Sequence, residues 1–294
     1  MNASTSETGA WLAFAQDIAA RAGEAILPHF REPIVVDDKG GSRGYDPVTM
    51  ADREAETIIR NAIAVAYPTH GIHGEEHGRK AGTSPYTWVI DPIDGTRSFI
   101  LGQMHWGTLV ALRDQTRPII GVVHQPYVGE SFSAIAGGAA HWRRGGAQRV
   151  LRTRRCASPD DAVLACSTPD MFTTVATQAG FSRVRSRARL TRFGGDCYAY
   201  CLLAMGLIDV VVESSLQAYD VQALMPIVEG AGGVMTTWRG ERCDDGGDVV
   251  ACGDPRLHAE VLQRRAGGAR RPWSRRACAG RLARRLRAVP LSMP

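Results

Sequence analysis

The sequence of 294 residues predicts a layered α/β protein made of two halves. Three observations carry that expectation. Two stretches near the N-terminus repeat apolar residues at helical spacing. Strand-like runs follow. Helices then alternate with strands beyond a basic, glycine-rich segment. A chain of this length can bury a sizeable core.

The first helix is expected over residues 11–30, after a polar lead. The lead "MNASTSETGA" has no basic region followed by a long apolar run, so no signal peptide is expected. The second helix, 50–66, carries its apolar repeat in "AETIIRNAIAVAY", and its opening "DREAE" reads as a solvated first turn. Strands are expected at 87–91, 106–113, 118–125 and 130–136, with "RPIIGVVHQP" and "ESFSAIAGG" neighbours in an antiparallel meander. The stretch "HWRRGGAQRVLRTRRCASPDDA" marks a boundary near residue 155. Beyond it, helices near 170–179, 195–206 and 219–231 alternate with the strands "DVVVE" and "GDVVAC". The chain therefore divides into 1–155, 156–263 and a tail, 264–294. No internal repeat is visible.

The tail is foreign to the rest in composition. It holds ten arginines and no acid, so the net charge of +5 conceals a body, residues 1–263, of net charge −5. An acidic body gives no compositional case for nucleic-acid binding. The tail reads as a dispensable, disordered extension, with a nucleic-acid or membrane-surface arm as the alternative. No run approaches the roughly 20 apolar residues of a membrane span. The seven cysteines form no C-x-x-C pair. Cys197 and Cys201 lie one helical turn apart with no partner ligand nearby, and read as small core residues in a reducing cytoplasm.

In "WVIDPIDGTRSFI" an apolar run enters two acids, Asp91 and Asp94, and breaks at Pro92 and Gly95. That pattern is a buried strand presenting carboxylates at its end. Two close carboxylates repel each other, and a divalent cation such as Mg²⁺ offsets the repulsion with hard oxygen ligands. The carbonyl of Ile93 can add an oxygen. A plain polar turn is the alternative, since Asp-Gly is a common turn pair. Further acids lie in "HGEEHG" (Glu75, Glu76), "YDPVTMADREAE" (Asp46, Asp52) and "LQAYDVQALMP" (Asp220). Asp220 also suits an N-cap without any function.

The series GEE, D-P-I-D-G-T, Y-D before a helix, and "EGAGG" resembles the inositol monophosphatase family of Mg²⁺-dependent phosphatases, over residues 10–263. "WVIDPIDGTRSFILG", "WGTLVAL", "RFGGDCYAY", "DVVVESSLQAYD" and "MPIVEGAGGVMTTWRG" resemble its bacterial histidinol-phosphatase branch. The resemblance implies a five-layered αβαβα sandwich with a metal site between the halves. It implies hydrolysis of a small phosphate monoester, histidinol phosphate in histidine biosynthesis, by a homodimer holding two or three Mg²⁺. Glu75, Asp91 and the Ile93 carbonyl would hold the first ion; Asp91, Asp94 and Asp220 the second. Thr96 and Asp52 would position or deprotonate the attacking water. The Gly95 and Thr96 amides would hold phosphate oxygens, Lys39 would add positive charge, and Glu76 would support the site.

Substrate choice is expected from the second half. Asp196 stands at a helix start, where an N-cap is the alternative reading, and Glu213 ends a strand. Two acids suit a cationic leaving group, since histidinol carries an amine and an imidazole. Inositol monophosphate or a nucleotide 3′-phosphate is the competing substrate within the family. An RNA-binding regulatory protein using the basic tail is the reading from another class. Trp106 and Tyr219 suit either ring packing or the core.

Overall fold

The computed structural model describes residues 4–40 and 47–265. Asp46, and the tail beyond Arg265, lie outside them.

Helix α1 (Thr5–Ile26) starts earlier than its apolar repeat because Ser4 and Glu7 form a capping box. The Ser4 amide donates to the Glu7 carboxylate at 2.9 Å, and the Glu7 amide donates to the Ser4 hydroxyl at 3.2 Å. Such a cap contributes about 1 kcal/mol. The helix gives way to a 3₁₀ turn over Leu27–His29 with Pro28 inside it. A small pair, β1 (Val36–Asp38) and β2 (Pro47–Thr49), feeds α2 (Met50–Ala66).

The first large sheet uses β3 (Gly71–Gly74), β4 (Arg79–Lys80), β5 (Thr87–Asp94), β6 (Gly107–Arg113), β7 (Pro118–Gln125), β8 (Glu130–Ile135), β9 (His141–Arg144) and β10 (Ala147–Val150). A one-and-a-half-turn helix, α3 (Thr96–Ile100), follows β5. The spatial order is β10-β9-β8-β7-β6-β5-β3-β4, and only β3 and β5 run parallel. The basic "HWRRGGAQRV" is therefore not simply a boundary. Gly145 and Gly146, both at positive φ, close it into the β9–β10 hairpin on the sheet's edge.

The second half contains β11 (Val163–Cys166), α4 (Val175–Arg185), β12 (Leu190–Phe193), α5 (Asp196–Ala204), β13 (Val210–Leu216), α6 (Ala218–Val221), α7 (Leu224–Gly230), β14 (Val234–Thr237), β15 (Gly247–Cys252) and α8 (Pro255–Arg265). Its sheet has the order β12-β11-β13-β15-β14. The helix expected at 170–179 begins at Val175 instead, because Pro169 sits in a 3₁₀ turn and Thr174 supplies the cap. The helix expected at 219–231 is two helices, α6 and α7.

Strand alternation sorts the layers. Trp88, Ile90, Val110, Leu112, Ile120 and Val122 pack with the buried faces of α1 and α2. Their neighbours Val89, Leu109, Ala111 and Val123 join α5 and α7, and so do Ala165, Val211, Val249 and Ala251 of the second sheet. That sheet's other face, Leu164, Val210, Val212 and Val250, packs with α4 and α8. The stack is the expected αβαβα sandwich of five layers. Each fully buried large apolar side chain contributes about 1.5–3 kcal/mol. The six described cysteines are buried and free. No described helix is long and apolar enough to cross a membrane.

Candidate active site

The site begins where β5 loses register. Its pairing with β6 shifts between Asp91 and Asp94, so the last residues bulge out of the ladder. Pro92 has no amide to donate, and its carbonyl accepts the Thr108 hydroxyl at 2.9 Å. Asp91 is 2% exposed, and its Oδ1 lies buried with no hydrogen-bond partner. Burial, then the charges of Glu75, Asp94 and Asp220, push its carboxyl well above the usual range. Asp94 is pushed the same way by desolvation and by Asp220, Asp196, Glu213 and Glu75. The fold thus brings acids from four separate sequence motifs to one place.

Parallel pairing of β3 with β5 delivers Glu75, whose amide donates to the Ile90 carbonyl at 3.2 Å. Asp220 arrives on α6 from the second half. It is not the N-cap: Gln217 is, and Asp220 sits three residues later, accepting the Gln217 amide at 2.6 Å.

Asp52 and Thr96 meet across the first half. The Thr96 hydroxyl lies 3.4 Å from Asp52 Oδ1 and 3.0 Å from the Ile93 carbonyl. Asp52 Oδ2 accepts both the amide (2.9 Å) and the hydroxyl (2.6 Å) of Thr49. The solvated first turn expected at "DREAE" is therefore wrong for two of its acids, since Asp52 and Glu56 are both fully buried. Burial raises the pKa of Asp52. The signal was present: 52, 55, 56, 59 and 63 fall on one helical stripe with buried Ala55, Ile59 and Ile63.

Glu56 holds the Glu75–Glu76 turn from inside. Its carboxylate accepts the amides of Glu76 (2.7 Å) and His77 (3.1 Å) and a guanidinium N–H of Arg60 (2.9 Å). A Cβ on Gly74 would lie 2.0 Å from Glu56 Oε1, so this position needs glycine. Outside the turn, Lys39 bridges Glu75 (2.8 Å) and Glu76 (2.9 Å). Burial and the Glu75 charge push Glu76 up to about 7.

Gly95 starts α3 at φ 91, and a Cβ there would lie 2.5 Å from the His105 carbonyl. Asp196 packs beside it. Gly195 rather than Asp196 is the cap of α5, and Asp196 has the left-handed φ of 43. Its Oδ2 accepts the Ser98 hydroxyl at 2.7 Å. Glu213 is buried, with Oε1 taking the Ser167 amide (3.0 Å) and hydroxyl and Oε2 taking the Tyr200 hydroxyl (2.8 Å). Ser98, Ser167 and Tyr200 carry no pattern that marks them in the sequence. Trp106 is core, packed between Phe30 and Phe99. Tyr219 is half-buried, edge-on to His73.

Among the described residues, no group of three or more His, Cys, Asp or Glu side chains stands in an arrangement that could hold a metal ion. The donor chemistry nonetheless fits a hard divalent cation. Mutually repelling carboxylates, an unpartnered buried Asp91 oxygen and the Ile93 carbonyl offer only oxygen.

The fold is a layered sandwich that gathers carboxylates around Asp91 and Asp94. The chain belongs to the inositol monophosphatase family, whose model matches residues 9–268. It is 38% identical over 271 residues to the chloroplastic bifunctional phosphatase IMPL2 of Arabidopsis thaliana, covering 88% of this chain and 76% of that protein. It is 34% identical to the histidinol-phosphatase of Chlorobaculum parvum, covering 79% and 87%. The solved inositol monophosphatase from Zymomonas mobilis superposes with a TM-score of 0.78 at 37% identity, covering 90% of this chain and 100% of that one.

Proposed function

We propose that this phosphatase hydrolyses histidinol phosphate and requires Mg²⁺. The observation that carries the reading is the acid pair Asp196 and Glu213, whose charges bear on Asp94 from the second half. An amine and an imidazole on the leaving group offset that charge, and a neutral polyol does not. The name of the Chlorobaculum parvum relative supports the same substrate. The Zymomonas mobilis structure, an inositol monophosphatase, keeps inositol phosphate as the competing substrate.

The roles divide between the halves. Residues 1–155 supply Glu75, Asp91, Asp94 and the Ile93 carbonyl as cation ligands, and 156–263 supply Asp220 and the acids for the leaving group. Bound divalent cations lower the pKa of a coordinated water and neutralise the departing oxygen. Thr96 orients the attacking water through its hydroxyl, and its proton passes toward Asp52. Thr49 fixes Asp52 on its other oxygen, and burial raises its proton affinity above that of an ordinary carboxylate. The amides of Gly95 and Thr96 hold phosphate oxygens. Lys39 adds a cation beside Glu75.

The test is phosphate release, with Mg²⁺ present, from histidinol phosphate, inositol 1-phosphate and nucleoside 3′-phosphates. The expected kcat/KM for histidinol phosphate exceeds the others by about tenfold or more, the worth of one charge-assisted contact. Equal or faster turnover of inositol phosphate overturns the substrate.

A further inference from the structure

Asp196 is held in an unusual way. A non-glycine residue at φ 43 persists only where its surroundings over-determine it. Two of those surroundings come from the other half of the chain. Ser98, 5% exposed, donates its hydroxyl to Asp196 Oδ2 at 2.7 Å. A Cβ on Gly95 would stand 3.2 Å from the Asp196 Cβ, so the turn lies close against the Asp196 side chain. Ser98 lies on α3, three residues beyond the glycine whose amide faces the phosphate in the proposed mechanism.

We propose that Ser98 is a positioning residue that fixes the Asp196 carboxylate relative to the Gly95–Thr96 phosphate-binding turn. One short helix then carries both ends of substrate recognition: phosphate at its first residues, and the acid for the leaving group through Ser98. The distance between phosphate and cation in a productive substrate is set by this link across the halves. Replacing Ser98 by alanine keeps the Cβ and removes the hydroxyl that donates to Asp196.

The inference rests on the proposed use of Asp196, and its test separates the two. Steady-state kinetics are measured for Ser98→Ala, Ser98→Thr, Asp196→Asn and the double variant Ser98→Ala/Asp196→Asn in the full-length chain with Mg²⁺. With histidinol phosphate, Ser98→Ala is expected to raise KM about tenfold while kcat changes less, since a charge-assisted hydrogen bond is lost. An aryl phosphate, whose leaving group carries no cation, is expected to lose less. Ser98→Thr, which restores the hydroxyl, is expected to recover most of the effect. In the Asp196→Asn background, Ser98→Ala is expected to add little, because the partner charge is gone. Additive losses in the double variant, or no rescue by threonine, overturn the positioning role. If wild type prefers inositol phosphate, the histidinol reading fails. The same cycle on inositol phosphate then still decides the Ser98–Asp196 coupling. A melting temperature within error of wild type for Ser98→Ala excludes a folding defect as the cause.

Discussion

Asp94 is surrounded by other acids, and its charge is tolerated rather than sought by the protein alone. Asp94→Asn keeps the shape and removes one repelling charge. Phosphatase activity is therefore expected to fall by about a hundredfold or more, while the melting temperature without Mg²⁺ stays level or rises. Near-normal turnover, or a marked loss of stability in the metal-free protein, contradicts that placement. Glu56 behaves in the opposite way. It is a buried charge fully committed to two amides and Arg60. Glu56→Ala strands the two amides and leaves Arg60 only the Gly78 carbonyl, and a stability loss of about 3 kcal/mol or more is expected in urea denaturation. Activity should fall with it, because the Glu75–Glu76 turn loses its anchor. A loss under 1 kcal/mol, on the order of a surface substitution, would show the anchor to be dispensable.

At the scale of elements, the local code was readable where it was periodic. The stripe of α2, the meander β6–β8 and the strand before Asp91 all announce themselves by spacing. The second half is less legible, since Pro169 and the break at Gln222–Ala223 interrupt helical patterns that the apolar content alone suggests. No periodic pattern announces helix α8. Among its described side chains, Leu257 and Val261 are buried in the core and Leu262 packs against it, a stripe too sparse to stand out. Its start depends on Asp254, which accepts the Arg256 amide at 2.9 Å and the Cys156 amide at 3.0 Å and pairs with the Arg256 guanidinium. These partners, the Arg256 side chain first, hold the Asp254 carboxyl down at about 2. An acid with a depressed pKa stabilises the fold above its ordinary value of 3.8, and that contribution is lost as pH falls through about 2. Asp254→Asn removes the charge paired with the largely exposed Arg256 and is therefore expected to cost at most about 1 kcal/mol at pH 7. The difference from wild type should shrink as the pH of thermal melts is lowered from 4 to 2. A constant difference over that window would mean that the charge is not what matters.

For the whole molecule, the acidic body and the basic tail make separable predictions. Residues 266–294 carry eight arginines and no acid. Truncation after Arg265 is expected to leave kcat/KM and melting temperature within error of the full chain. A drop in either shows that the tail serves the fold. RNA binding that weakens with salt and vanishes on truncation supports the alternative arm.

The sequence by itself carried the resemblance to the family, and through that resemblance the expectation of five layers and of acids around Asp91. Those follow from short contiguous patterns, "DPIDGT" and the apolar runs on either side, whose meaning depends on near neighbours in the chain. Only the tertiary structure decided which acids are buried and what holds them. Glu56 reaches the Glu75–Glu76 turn across twenty residues, and Ser98 reaches Asp196 across ninety-eight. Glu213 meets Ser167 and Tyr200 because β11, β13 and α5 converge there. A hydroxyl or carboxylate has no periodicity to betray its partner. Its role is set by the group that packing brings within 3 Å, and that distance exists only once the layers have closed.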